Sequence, residues 1–139
     1  MKDILQEIVA NKRVEVLRQE EAIPLHTLIS MGGSRMEMAT RSMRAALEGS
    51  DSGIIAEFKR KSPSKGWLHP GANVREVLPA YEKNGASACS VLTDSHFFGG
   101  SLGDLANAES LAETPFLLVQ ATPGDTPRAG DAVARALAR

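Results

Sequence analysis

Two residues of opposite charge, Glu57 and Lys59, stand two apart in the otherwise apolar run Gly53-Ile54-Ile55-Ala56-Glu57-Phe58-Lys59. A short run of this kind reads as a strand buried on both faces, as in a parallel sheet. Alternate residues of a strand project to one face, which sets the carboxylate beside the ammonium. Burial raises a carboxylate's pKa and a neighbouring ammonium lowers it, so the sequence leaves the balance open. A pair of this type suits general acid–base work, one group supplying a proton and the other taking it. It also reads as a structural salt bridge on an exposed strand. The apolar surroundings argue the other way, because charges inside a buried strand are usually paired and often functional. Ser62-Pro63-Ser64-Lys65-Gly66 follows at once. It reads as a loop, since proline ends a strand ladder and glycine permits the turn.

The elements that must position this pair follow from periodicity. Asn73–Asn84 reads as a helix with Val74, Val77, Leu78 and Tyr81 on one face and Gly85 closing it. Ala86–Thr93 reads as a second buried strand, His96–Ser101 as a loop, Leu102–Leu111 as a helix and Pro115–Val119 as a third strand. Before the pair the chain is helical. Ile4, Leu5, Ile8, Val9, Val14 and Leu17 recur at helical spacing between Lys2 and Gln19, and Pro24 interrupts. Leu25, Leu28 and Ile29 suit a short second helix, Met31–Arg35 a loop, and Ser42–Leu47 a third helix capped by Gly49.

Strand, loop and helix repeating at intervals of roughly 30 residues indicate βα units and a parallel sheet. Two architectures fit: a doubly wound sheet, or a (β/α) barrel with an N-terminal extension. Neither G-x-G-x-x-G nor G-x-x-x-x-G-K follows a strand, which lowers nucleotide binding and favours the barrel. In such barrels the active site lies at the C-terminal ends of the strands, where Glu57 and Lys59 fall.

Composition narrows the function classes. Over 139 residues the formal net charge is −1, which argues against a nucleic-acid arm, a polybasic membrane anchor or an acidic tail. No run approaches the ~18 apolar residues of a membrane span. Met1–Arg13 lacks the pattern of a signal peptide, so a cytoplasmic protein is expected. With one cysteine, Cys89, there is no internal disulfide and no cysteine-based zinc site, and the residue reads as a small core side chain. His26, His69 and His96 are not at metal-ligand spacing, so no metal is expected. Trp67 and Leu68 read as part of a lid or as packing against the N-terminal helix. Gly99-Gly100 reads as a close approach to a ligand or a plain turn, and Asp94, just past the second strand, as a site residue or a loop cap.

Ile54-Ile55-Ala56-Glu57-Phe58-Lys59-Arg60-Lys61-Ser62-Pro63-Ser64-Lys65-Gly66 closely resembles the first-strand motif of the indole-3-glycerol phosphate synthases. Val91-Leu92-Thr93-Asp94-Ser95-His96-Phe97-Phe98-Gly99-Gly100-Ser101 resembles that family's second strand and loop, and Ile8–Val16 its N-terminal helix. The resemblance implies an α/β fold, here a partial (β/α)8 TIM barrel of two to three βα units preceded by N-terminal helices. It implies a carbon–carbon lyase of tryptophan biosynthesis. Such an enzyme closes the pyrrole ring of 1-(2-carboxyphenylamino)-1-deoxyribulose 5-phosphate, with loss of carbon dioxide and water. It further implies no cofactor, and a small phosphorylated substrate as partner rather than nucleic acid or membrane. Catalytic roles fall to Lys59, which would bind charged groups of the substrate and assist acid catalysis, and to Glu57, which would orient that lysine and move protons during dehydration. Ser62 and Phe98 would bind substrate, Phe98 by packing on its aromatic part.

The resemblance covers residues 1 to about 115. There the family continues into a Lys-Asp-Phe motif whose lysine is a general acid. This chain reads Pro115-Phe116-Leu117-Leu118-Val119-Gln120-Ala121, and no lysine follows Lys83. The expected organisation is a helical extension over 1–50, the first βα units over 51–120, and an aberrant tail over 121–139, as from a frameshift. The alternative function is a catalytically inactive remnant, at most a weak phosphosugar binder. Open barrel edges predict self-association.

Overall fold

The structure, a computed structural model, describes residues 3–33, 41–111 and 116–119. These divide into two compact units, one formed by the helices of residues 3–33 and one running from residue 41 to residue 119.

In the first unit, helix α1 spans Ile4–Ala22, started by Asp3, whose side chain accepts from the backbone N–H of Leu5. Pro24 separates it from α2, Leu25–Gly32, and Gly33 ends α2 with a φ of +47°. Most of the apolar positions that mark α1 are exposed, Leu5 and Leu17 each by 60%, while Ile8 is buried.

The second unit opens with α3, Met43–Glu48, which has Ser42 as its N-cap and Gly49 at its end. Strand β1 is Ile55–Phe58. The expected Ser-Pro-Ser loop is instead a tight hairpin, β2 (Lys61–Ser62) against β3 (Gly66–Trp67), turning over Pro63-Ser64-Lys65. Gly66 supplies the φ of +66° that lets the chain return. Helix α4, Val74–Lys83, is capped by Asn73 and followed by β4, Ala88–Leu92. The expected loop after β4 contains a four-residue helical turn, α5 (Ser95–Phe98), because Asp94 accepts from the N–H of Phe97. Helix α6, Leu102–Glu109, and strand β5, Phe116–Val119, complete the series.

Strands β1, β4 and β5 form one parallel sheet in that order, with Glu57 beside Ser90 and Phe58 beside Val91. Each successive strand joins the same edge. A doubly wound sheet must reverse direction at a switch point. Among the described strands no reversal occurs, and the three do not close on themselves, so the architecture is that of a partial barrel.

Helices α4 and α6 pack on one face of this sheet. Phe58, Cys89 and Val91 on that face, with Val74 and Leu78 of α4 and Leu105 and Ala108 of α6, form the buried core. The other face of β1 is open: Ile55 is 44% exposed, against 3% for Phe58. The expectation of a strand buried on both faces therefore holds for β4, buried throughout, and fails for β1. An apolar run records which residues can be buried; what lies opposite is decided elsewhere in the fold.

Candidate functional site

Glu57 is the third residue of β1, and Lys59 stands just past its end. Their side chains meet on the open face, Lys59 Nζ donating to Glu57 Oε1 at 2.6 Å. Both are partly exposed, Lys59 at 34% and Glu57 at 40%, so water screens the pair and its value for stability is small. Its position matters more, because the C-terminal end of a barrel strand is where the βα loops gather. Behind the strand, the Tyr81 hydroxyl of α4 donates to the Glu57 carbonyl oxygen at 3.3 Å.

Ser62 pairs with Gly66 in the hairpin, and its Oγ accepts from the Lys65 N–H at 3.2 Å. That bond occupies an acceptor lone pair and leaves the hydroxyl hydrogen for another partner. Phe98 ends the turn α5, half-buried, and its carbonyl oxygen accepts from the Arg60 N–H at 3.2 Å. The structure thus brings Glu57 and Lys59 into direct contact. It joins the loops carrying Ser62 and Phe98 by the Arg60–Phe98 backbone bond and by the Lys61 side chain, whose Nζ donates to the His96 carbonyl at 2.7 Å.

Arg60 and Asp104 are the residues that motif reading missed. The guanidinium lies 5.0 Å from the Phe58 ring centroid and donates twice to the Asp104 carboxylate, both at 2.7 Å. It donates further to the carbonyls of Ala72 at 2.8 Å and Gly99 at 3.1 Å. One side chain therefore ties the end of β1, the loop before α4, the turn after β4 and the first turn of α6. The Arg60 hydrogen bonds hold the Asp104 carboxyl below its ordinary value against the opposing effect of burial, and Ser101 adds to the effect. The same bonds raise Arg60 further. A signal existed in Ser101-Leu102-Gly103-Asp104, a capping-box spacing at the start of a helix, and Ser101 Oγ does donate to Asp104 at 2.9 Å. No local pattern names Arg60 as the partner, 44 residues away.

Gly99 and Gly100 serve packing. A Cβ on Gly100 would sit 1.8 Å from the Leu92 carbonyl oxygen, and one on Gly99, at φ +67°, would sit 2.8 Å from the Trp67 ring. The half-exposed Trp67 ring lies over that glycine, with Lys61 Nζ 5.7 Å from its centroid. Asp94, read from sequence as a site residue or a loop cap, caps the helical turn α5. Among the described residues no group of three or more His, Cys, Asp or Glu side chains is placed to hold a metal ion, and no helix is long and apolar enough to cross a membrane.

At the opposite end of the strands the described side chains form a hydroxyl network. Ser52 Oγ donates to the Gly85 carbonyl and lies 3.1 Å from Ser87 Oγ, which also meets Ser50. That network fastens the start of β1 to the start of β4, the stabilising end of a barrel.

A parallel βα series that adds each described strand at the same edge is that of a barrel-type α/β protein, and the acid–ammonium pair lies at the C-terminal end of its first strand. Residues 5–120 match the family described as indole-3-glycerol phosphate synthase, and the chain belongs to that family. Over 117 residues it is 54% identical to an indole-3-glycerol phosphate synthase of Bacteroides thetaiotaomicron, covering 84% of this chain and 44% of the relative. Over 118 residues it is 38% identical to one from Syntrophobacter fumaroxidans, with the same shares covered. The chain thus spans less than half the length of these curated relatives.

Proposed function

We propose that this chain supplies the first βα units of a cytoplasmic indole-3-glycerol phosphate synthase, a carbon–carbon lyase, with Glu57 and Lys59 as catalytic residues. The 2.6 Å contact between them at the strand end, on the face that the helices leave open, carries the reading. Residues 51–120 form the site-bearing portion and residues 1–50 its helical extension.

The reaction explains the residue types. Closing the pyrrole ring places negative charge on the ketone oxygen of the phosphorylated substrate, and a fixed ammonium such as Lys59 stabilises it as it develops. The dehydration that follows requires a proton donor and an acceptor near one carbon framework, and the paired Glu57 and Lys59 offer both. Ser62 has a hydroxyl hydrogen available for the substrate, and Phe98 an aromatic ring held at the adjoining loop. The two loops are stitched to each other, so both groups approach a ligand without a further ordering step.

The test is fluorescence detection of indole-3-glycerol phosphate formed by the purified 139-residue chain, beside a Lys59→Ala control. Formation that disappears in the control supports the assignment. Formation that persists overturns the role of Lys59, and none in either sample supports a catalytically inactive remnant.

A further inference from the structure

One polar atom in the second unit has no use in the resting structure. Ser90 Oγ, in the middle of β4, is buried and makes no hydrogen bond among the described residues. A buried hydroxyl without a partner costs stability, and native structures keep such groups only where something offsets the cost. Its strand neighbours Ala88, Cys89, Val91 and Leu92 are apolar and buried, so an alanine would suit position 90 by packing alone.

Register shows what lies beside it. Ser90 pairs with Glu57 across the parallel ladder, and paired residues of adjacent parallel strands project to the same face. The strands stand about 4.8 Å apart, so a rotamer change at Glu57 brings its carboxylate to the Ser90 hydroxyl with no backbone movement. In the resting structure Glu57 is held by Lys59 instead. The two demands on Lys59 conflict, because an ammonium that turns to an anionic ligand releases the carboxylate it was holding. Among the described residues, Lys59 is the charged group that meets the Glu57 carboxylate. β4 carries none, α4 brings only the Tyr81 hydroxyl to the Glu57 carbonyl, and the Arg60 guanidinium is committed to Asp104.

We propose that Ser90 is a positioning residue whose buried hydroxyl takes over the Glu57 carboxylate when Lys59 engages an anionic ligand. Glu57 then has two resting places, one shared with the ammonium and one on the hydroxyl. It stays oriented while Lys59 is occupied. The inference rests on the placement of Glu57 and Lys59 in the site, yet its test needs no substrate. Its outcome is therefore separable from that of the product assay.

The test is a cycle of thermal unfolding on the full chain with Ser90→Ala, Lys59→Met and the two combined. Methionine removes the ammonium and so imitates its departure. Ser90→Ala in the original background leaves the midpoint unchanged or raises it, since the hydroxyl is idle there. In the Lys59→Met background the same substitution lowers the midpoint by at least roughly 4–8 °C, the loss of one ordinary hydrogen bond in a domain of this size. Ser90→Thr, which keeps the hydroxyl, restores it. An equal effect of Ser90→Ala in both backgrounds, or a drop in the original one, overturns the proposal. If any variant melts without a cooperative transition, the Ser90 13Cβ resonance reads the same event. It moves on Lys59→Met if the hydroxyl accepts the new role, and an unmoved resonance rejects it.

Discussion

Arg60 gathers more of the second unit than any residue the chemistry singles out. Its side chain is 18% exposed and that of Asp104 9%, so the bidentate pair works where water screens it little. Breaking a pair of this kind leaves one buried charge unanswered, and Asp104→Asn should cost about 3 kcal/mol in chemical unfolding. The pH dependence has a definite sign. Asp104 titrates below its ordinary value when folded, so its contribution is fully present above the unfolded carboxylate pKa of about 3.9. It is lost as the pH falls through the lower folded value. The stability gap between the original chain and Asp104→Asn should therefore stay constant from neutral pH down to about pH 4 and close below it. A gap that persists unchanged at pH 2 would show that packing, not the charged pair, carries the difference. By contrast Glu57–Lys59, half in water, should leave the unfolding midpoint nearly untouched when Lys59 becomes Ala, with any effect confined to function.

At the scale of elements, side-chain caps do the work of starting helices. Ser42, Asn73, Asp94 and Ser101 each accept from a backbone N–H of the first turn that follows. An N-cap is a local event, fixed by one side chain and the two or three residues after it, so the residue types carry the signal although the periodicity reading does not use it. The hairpin β2–β3 and the turn α5 are not legible, since elements of two to four residues are too short to show a period. The junction between β4 and α6 depends on a backbone approach that no propensity encodes. A Cβ on Gly100 would overlap the Leu92 carbonyl at 1.8 Å, and the nearest obstacle is backbone, which cannot swing aside. Gly100→Ala should therefore cost at least the ~1–3 kcal/mol of ordinary overpacking, while Gly103→Ala, whose nearest neighbour is the Ser101 hydroxyl at 3.5 Å, should not. Unfolding midpoints of the two variants side by side check the contrast.

For the second unit as a whole, one face of β1 is covered and the other is not. Ile54 is 57% exposed, Ile55 faces the open side with Glu57, and among the described strands β1 and β5 each have one unpaired edge. Unpaired edges and uncovered apolar surface favour pairing with another copy. Sedimentation of the 139-residue chain should show mass rising with concentration across the micromolar range. A monomer at all concentrations, with a sharp two-state melt, would contradict this. Lysine or glutamate at Ile54 should reduce the association, because charge on an edge opposes strand addition.

The order and kind of the longer elements, the family, and the pairing of Glu57 with Lys59 were legible in the chain before any fold was considered. These follow from relations over a few residues: period, cap and alternation along a strand. Tertiary structure decided which face of β1 stays open, that Arg60 reaches Asp104, and that Ser90 lies idle beside Glu57. Those facts join residues some 30 to 45 positions apart, and strand register and loop path bring them together only after the chain has folded.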